Sequence, residues 1–145
     1  MSTTEATLRR YAAWLGQIGP DNLEDLRTFT TADVHFKDPF NDVCGQDRMI
    51  RTFADVFEMA DEVRFAVRDV VSGEGLGFIL WDFTLRPKRS RKLWSFRGVS
   101  EVRIDAAGRI TEHVDHFDAG SQLYAKLPVV GTLVRLVRGR LQIKD

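Results

Sequence analysis

Behind Ser2-Thr3-Thr4-Glu5, which has the spacing of a capping box, Leu8, Tyr11, Trp14, Leu15 and Ile18 recur at helical intervals until Gly19-Pro20 stops the run. This pattern predicts a first amphipathic helix with Tyr11 on its buried face. Asp21 and Glu24 repeat the capping logic, and Leu23, Leu26 and Phe29 predict a second, short helix. From Val34 to Asp38 the period changes to two, with Val34, Phe36 and Asp38 on one face and His35 and Lys37 on the other. A loop over Asn41 to Gly45 leads to a third helix marked by Met49, Ile50, Phe53, Val56 and Phe57.

Four strand-like runs follow, at Val63 to Val71, Gly77 to Leu85, Leu93 to Ile104 and Arg109 to Phe117. Alternation puts Trp81, Phe83 and Leu85 on one face of the second run, opposite Asp82 and Thr84. In the third run, Trp94, Phe96, Gly98, Ser100 and Val102 oppose Ser95, Arg97, Val99 and Glu101. Asp105-Ala106-Ala107-Gly108 is a turn, and the run after it groups Thr111, His113, Asp115 and Phe117. The order helix, helix, strand, helix, strands reads as a single α+β domain over residues 1–145, with helices on the concave side of a curved antiparallel sheet. Neither a repeat nor a second-domain boundary interrupts it.

Composition narrows the class. A chain of 145 residues, 43% hydrophobic, is long enough to bury one core and leave a pocket. Lys plus Arg and Asp plus Glu both number 21, so no global field draws the chain toward nucleic acid or an acidic partner. The lone Cys44 excludes an intrachain disulfide and a cysteine metal cage. Residues 1–20 have no apolar signal core and no stretch is long enough to span a bilayer, so the expectation is a soluble, cytoplasmic protein.

Two basic features stand apart. Arg86-Pro87-Lys88-Arg89-Ser90-Arg91-Lys92 falls between two strands, as a solvated hairpin tip without the flanking aromatics of a nucleic-acid surface. In the tail, Leu133, Val134, Leu136, Val137 and Leu141 interleave with Arg135, Arg138 and Arg140 after Leu127-Pro128-Val129-Val130-Gly131. This basic amphipathic helix either packs over the domain or lies as a peripheral contact on an anionic membrane, and the apparent turn at Pro128–Gly131 favours packing.

The candidate chemistry lies in Asp38, Tyr11, His113 and Asp115. Asp38 precedes Pro39, where an aspartate commonly just starts a turn, yet its parity with Phe36 aims it inward as a general base. His113 and Asp115, two apart on one strand face, read either as a structural hydrogen-bonded pair or as an acid/base pair. A metal site is rejected, because a catalytic zinc needs three protein ligands while His35 and His116 point to the opposite faces of their strands. No cofactor is implied. Alternation and helical spacing predict one pocket holding Tyr11, Asp38, Ser100, His113, Asp115, Val102 and Phe117, walled by Trp14, Phe53, Phe57, Trp81, Phe83 and Phe96.

Arg10-Tyr11 in the first helix, Ala32-Asp33-Val34-His35-Phe36-Lys37-Asp38-Pro39, and Gly108-Arg109-Ile110 opening the last strand carry a resemblance covering nearly the whole chain. In order and spacing the chain resembles the nuclear transport factor 2-like superfamily, in its ketosteroid-isomerase-like and SnoaL-like branch. The resemblance implies a cone-shaped roll with a deep apolar cavity, commonly a homodimer. The polar convex face at Asp82, Thr84, Ser95, Arg97, Val99 and Glu101 would suit such an interface. The resemblance also puts the proton-shuttling base at Asp38 and the oxyanion-donating tyrosine at Tyr11. A second oxyanion donor falls on Ser100, a weaker donor than a protonated carboxyl, which counts against steroid isomerisation itself. The acid/base aspartate of SnoaL-like cyclases falls on Asp115. The expected function is therefore cofactor-independent proton transfer next to a carbonyl in a small apolar steroid- or polyketide-like compound, with a non-catalytic binding or dimerisation module as the alternative.

Overall fold

The computed structural model describes residues 1–122 and 128–142. Helix α1 (Thr3–Leu15) starts where Ser2 accepts a hydrogen bond from the Glu5 backbone N–H at 3.1 Å, half of the predicted capping box. A single 3-10 turn (Leu23–Asp25) and a four-residue α2 (Leu26–Phe29) take the place of the second helix and pass the chain into β1 (Thr30–Lys37). The segment read as a loop contains a short edge strand, β2 (Asp42–Cys44), before α3 (Gln46–Met59). Three residues give too little periodicity for sequence to show a strand.

The remaining strands are β3 (Ala60–Ser72), β4 (Leu76–Pro87), β5 (Trp94–Ile104) and β6 (Ile110–Phe117). With β1 and β2 they form one six-stranded sheet in the order β2-β1-β6-β5-β4-β3. One pairing departs from the antiparallel expectation: β1 runs parallel to β6, with Phe36 opposite His113. These strands are far apart in sequence, so no tight hairpin dictates their direction.

Leu8, Tyr11 and Leu15 of α1, Val34 and Phe36 of β1, Met49 and Phe53 of α3, and Ile79, Trp81 and Val102 of the sheet form one buried cluster. Helix α1 is fastened over the sheet by Thr7, whose hydroxyl donates to the Gly108 carbonyl at 2.9 Å. Gly98 has a specific duty in this packing. A Cβ there would lie 2.5 Å from the Trp81 ring and 2.7 Å from the His116 carbonyl, so the bare backbone is what lets the indole lie across β5.

After β6 come α4 (Ala119–Gln122) and α5 (Pro128–Leu141). The predicted turn at Pro128–Gly131 is instead the first turn of α5, where proline is well accommodated because its missing N–H would be unpaired anyway. Packing of the whole apolar stripe is not what the structure shows, since Leu133, Leu136, Val137 and Leu141 are all exposed. Residues 123–127, including Leu127, lie outside the described residues. Among the described residues no helix is long and apolar enough to cross a membrane.

Candidate functional site

Between α3 and the inner face of the sheet is a cavity of about 700 Å³, within the usual range for a small-molecule site. Ten of its 21 lining residues are aromatic. Of the predicted walls, Phe53, Phe57, Trp81, Phe83 and Phe96 line it and Trp14 does not, and the predicted Phe117 lines it as well. They pack against one another, with Phe83 stacked on Phe96 at 5.9 Å and Phe117 5.9 Å from Phe96.

Asp115 enters this apolar space from β6. Its position follows from strand parity, and register places it opposite Ser100 on β5. The Ser100 hydroxyl donates to Asp115 Oδ1 at 2.5 Å, and Trp81 Nε1–H donates to Ser100 Oγ at 2.9 Å. His113 Nε2 lies 2.7 Å from the same Oδ1, and its Nδ1 lies 2.8 Å from the Tyr11 hydroxyl. The donors and acceptors close without conflict if Tyr11 donates to Nδ1 and Nε2–H donates to the carboxylate. Asp115 Oδ2 has no hydrogen-bond partner among the described residues.

Several predicted site residues sit deeper than expected. Tyr11 is fully buried and His113 and Ser100 are each 1% exposed, so they form the layer behind Asp115 instead of the cavity wall. The Tyr11 ring stacks on Trp14 at 5.5 Å and meets Phe29 at 5.4 Å, which holds its hydroxyl against the imidazole. Burial, and secondly the negative charge of Asp115, keep this phenol well above its ordinary value. Its hydroxyl is therefore a fixed partner of His113, not a donor facing a ligand. Trp14 and Val102 likewise belong to the core and not to the lining. Helical and strand periods report which way a side chain points but not how much protein stands in front of it.

Asp38 does line the cavity, and it also serves the turn that its Asp-Pro context suggests. Its Oδ1 accepts the backbone N–H of Phe40 and of Asn41, both at 2.7 Å, while Asn41 Nδ2 donates to Oδ1 and Oδ2 at 3.2 and 3.1 Å. All of its hydrogen-bond partners among the described residues are neutral.

The remaining lining goes beyond the sequence expectation. Thr52, Asp55, Val56 and Met59 follow helical spacing along α3, so the stripe is readable, but two of its members are polar. Asp55 and Glu58 sit at the exposed rim, where Arg51 lies 2.9 Å from one and 3.6 Å from the other. Phe65 and Val63 from β3 and Trp94 from β5 complete the far wall.

Residues 8–113 match the SnoaL-like domain. The chain belongs to this family. The matched stretch includes Tyr11, Asp38 and Ser100, while Asp115 lies two residues beyond it on the same strand. Among solved structures, an NTF2-like protein of unknown function from Burkholderia pseudomallei is 18% identical with a TM-score of 0.70, covering 94% of this chain and 98% of its own. A candidate SnoaL-like polyketide cyclase from Shewanella putrefaciens is 19% identical with a TM-score of 0.66, covering 85% of this chain and 97% of its own. A Catenulispora acidiphila protein with a ketosteroid isomerase-like fold, in complex with trimethylamine, is 18% identical with a TM-score of 0.71, covering 83% and 91%. At these identities the likeness concerns the fold. No curated protein matches this SnoaL-like chain in sequence.

Proposed function

We propose that this SnoaL-like protein moves a proton at a carbon next to a carbonyl in a small, largely apolar compound, with Asp115 as the acid/base. The observation that carries this reading is the placement of Asp115. It is a carboxylate at the wall of an aromatic cavity, with Oδ1 held by Ser100 and His113 and Oδ2 without a partner among the described residues. Two donors fixing one oxygen orient the other, which is what a general base requires. Tyr11 and Ser100 act as positioning residues, through His113 and through direct contact with Oδ1. The enolate oxygen would need a donor other than Tyr11, whose hydroxyl is committed to His113.

The second reading is a binding module without turnover, and the commitment of the Tyr11 hydroxyl to His113 is the observation in its favour. Exchange of the C1 protons of 2-tetralone in heavy water, followed by proton NMR, separates the two. Proton transfer predicts exchange accelerated over buffer and reduced about a hundredfold or more in Asp115→Asn. No acceleration by the wild type, or an unchanged rate in the variant, supports the binding module.

A further inference from the structure

The charged side chains that line the cavity are Asp38, Asp55, Glu58 and Asp115, and among the described residues no Lys, Arg or His joins them. The rim pair is compensated by Arg51. The other two have no Lys or Arg partner among the described residues: Asp115 is held by Ser100 and the His113 ring, and Asp38 by two backbone N–H groups and Asn41. Lys37 and His116 face a separate, shallower depression on the far side of Asp38 and Asp115, and His116 is engaged there by Glu101 at 3.0 Å.

Hydroxyl, amide and backbone donors satisfy a carboxylate's lone pairs without cancelling its field, and beside an aromatic wall that field is less screened than in bulk water. An anionic ligand is repelled by both of these carboxylates. A cation is attracted by them and also by the negative faces of the surrounding rings. Only one of the two acids is needed for proton transfer, and Asp38, at the turn after β1, is the one the chemistry leaves over. We propose that the cavity selects a small lipophilic compound bearing an ammonium centre, with Asp38 as the counter-charge of that centre. This names a ligand class for the same cavity in which proton transfer is proposed, but it depends on binding alone and stands whether or not turnover occurs.

Three probes of nearly one shape test it: benzyltrimethylammonium, its neutral isostere neopentylbenzene, and benzylsulfonate. Binding to the full chain is followed by calorimetry and by the tryptophan fluorescence of Trp81 and Trp94. The ammonium is expected to bind at least tenfold more tightly than the neutral isostere, with the sulfonate undetected. Asp38→Asn, which keeps a side-chain oxygen for the turn, is expected to abolish the ammonium's advantage while leaving neopentylbenzene binding in place. Equal affinity for the ammonium and its neutral isostere, measurable binding of the sulfonate, absence of ammonium binding, or an undiminished preference in Asp38→Asn overturns the assignment. The 2-tetralone exchange in Asp115→Asn is read separately, so failure of one proposal is not failure of the other.

Discussion

Asp82 on β4 and Asp115 on β6 belong to the same sheet, face opposite sides of it and are held in opposite ways. On the outer face Arg97 Nε lies 2.8 Å and Arg68 Nε 2.6 Å from Asp82, and these two guanidiniums pull its carboxyl down to about 2. On the inner face Asp115 is held by the Ser100 hydroxyl and the His113 ring, with no Lys or Arg beside it among the described residues. An outward ion pair costs little desolvation and contributes little. An inward carboxylate without a fixed cation is costly to bury and is retained where its charge has a task. The contrast separates a face ordered by exposed cross-strand ion pairs from an aromatic cavity wall whose carboxylate is held by a hydroxyl and an imidazole.

The largest effect is expected from His113→Ala. The change removes a fully packed ring set against Phe36 at 5.2 Å, strands the Tyr11 hydroxyl and removes one of the donors to Asp115 Oδ1. A void combined with an unsatisfied buried group predicts a loss of about 3 kcal/mol in urea unfolding. A loss below about 1 kcal/mol would mean that the layer behind Asp115 is loosely built, and the orienting role assigned to it would fail.

Asp82→Asn is expected to cost less, and its cost should depend on acid and salt. The folded value near 2 lies below the unfolded value of about 3.9, so the carboxylate's contribution is fully present above the latter and disappears as the pH falls toward the former. The stability gap between wild type and Asp82→Asn should thus stay constant from about pH 7 to 5 and close between about pH 4 and 2. It should also shrink with added salt, because the partners are exposed. An acid-independent gap would show that Asp82 acts through packing, and the contrast between the two faces would lose its electrostatic basis.

Much of this arrangement is legible in the sequence, and the illegible parts share a cause. Strand alternation has a strict period of two, so parity alone assigns Phe83, Phe96, Asp115 and Phe117 to the inner face. The family likeness is carried by Arg10-Tyr11, the stretch ending in Asp38-Pro39, and Gly108-Arg109-Ile110. Depth is another matter. Tyr11 and His113 share the inward direction of Asp115 yet lie behind it, because how closely α1 settles on β6 depends on the sizes of Trp14, Phe29 and Phe53 together. The sequence offers Asp38 two competing roles, turn or site, and the residue performs the first while lining the second. The acids of α3 escape notice because a search for apolar stripes passes over polar residues that share the stripe.

The smallest effect is expected at the sheet edge, where His35 joins three strands. Its Nδ1 lies 2.9 Å from Glu112 on β6 and its Nε2 2.6 Å from Asp42 on β2. The hydrogen bond to Glu112, followed by that to Asp42, raises the His35 value above its usual 6.5, and His35 in turn lowers that of Asp42. The two signs bound one window. A raised imidazole contributes fully below about 6.5 and loses its contribution as the pH rises through its folded value; a lowered carboxylate contributes above about 4 and loses its contribution in acid. The stability difference between wild type and His35→Gln should therefore be greatest between about pH 4 and 6.5 and should decline at pH 8.5, as followed by thermal melts at fixed ionic strength. Because the side chains are partly exposed, the effect stays below that of either change described above. A difference that grows toward alkaline pH would mean that the neutral imidazole is the form that ties β2 to the sheet, contrary to the two-carboxylate setting of the ring.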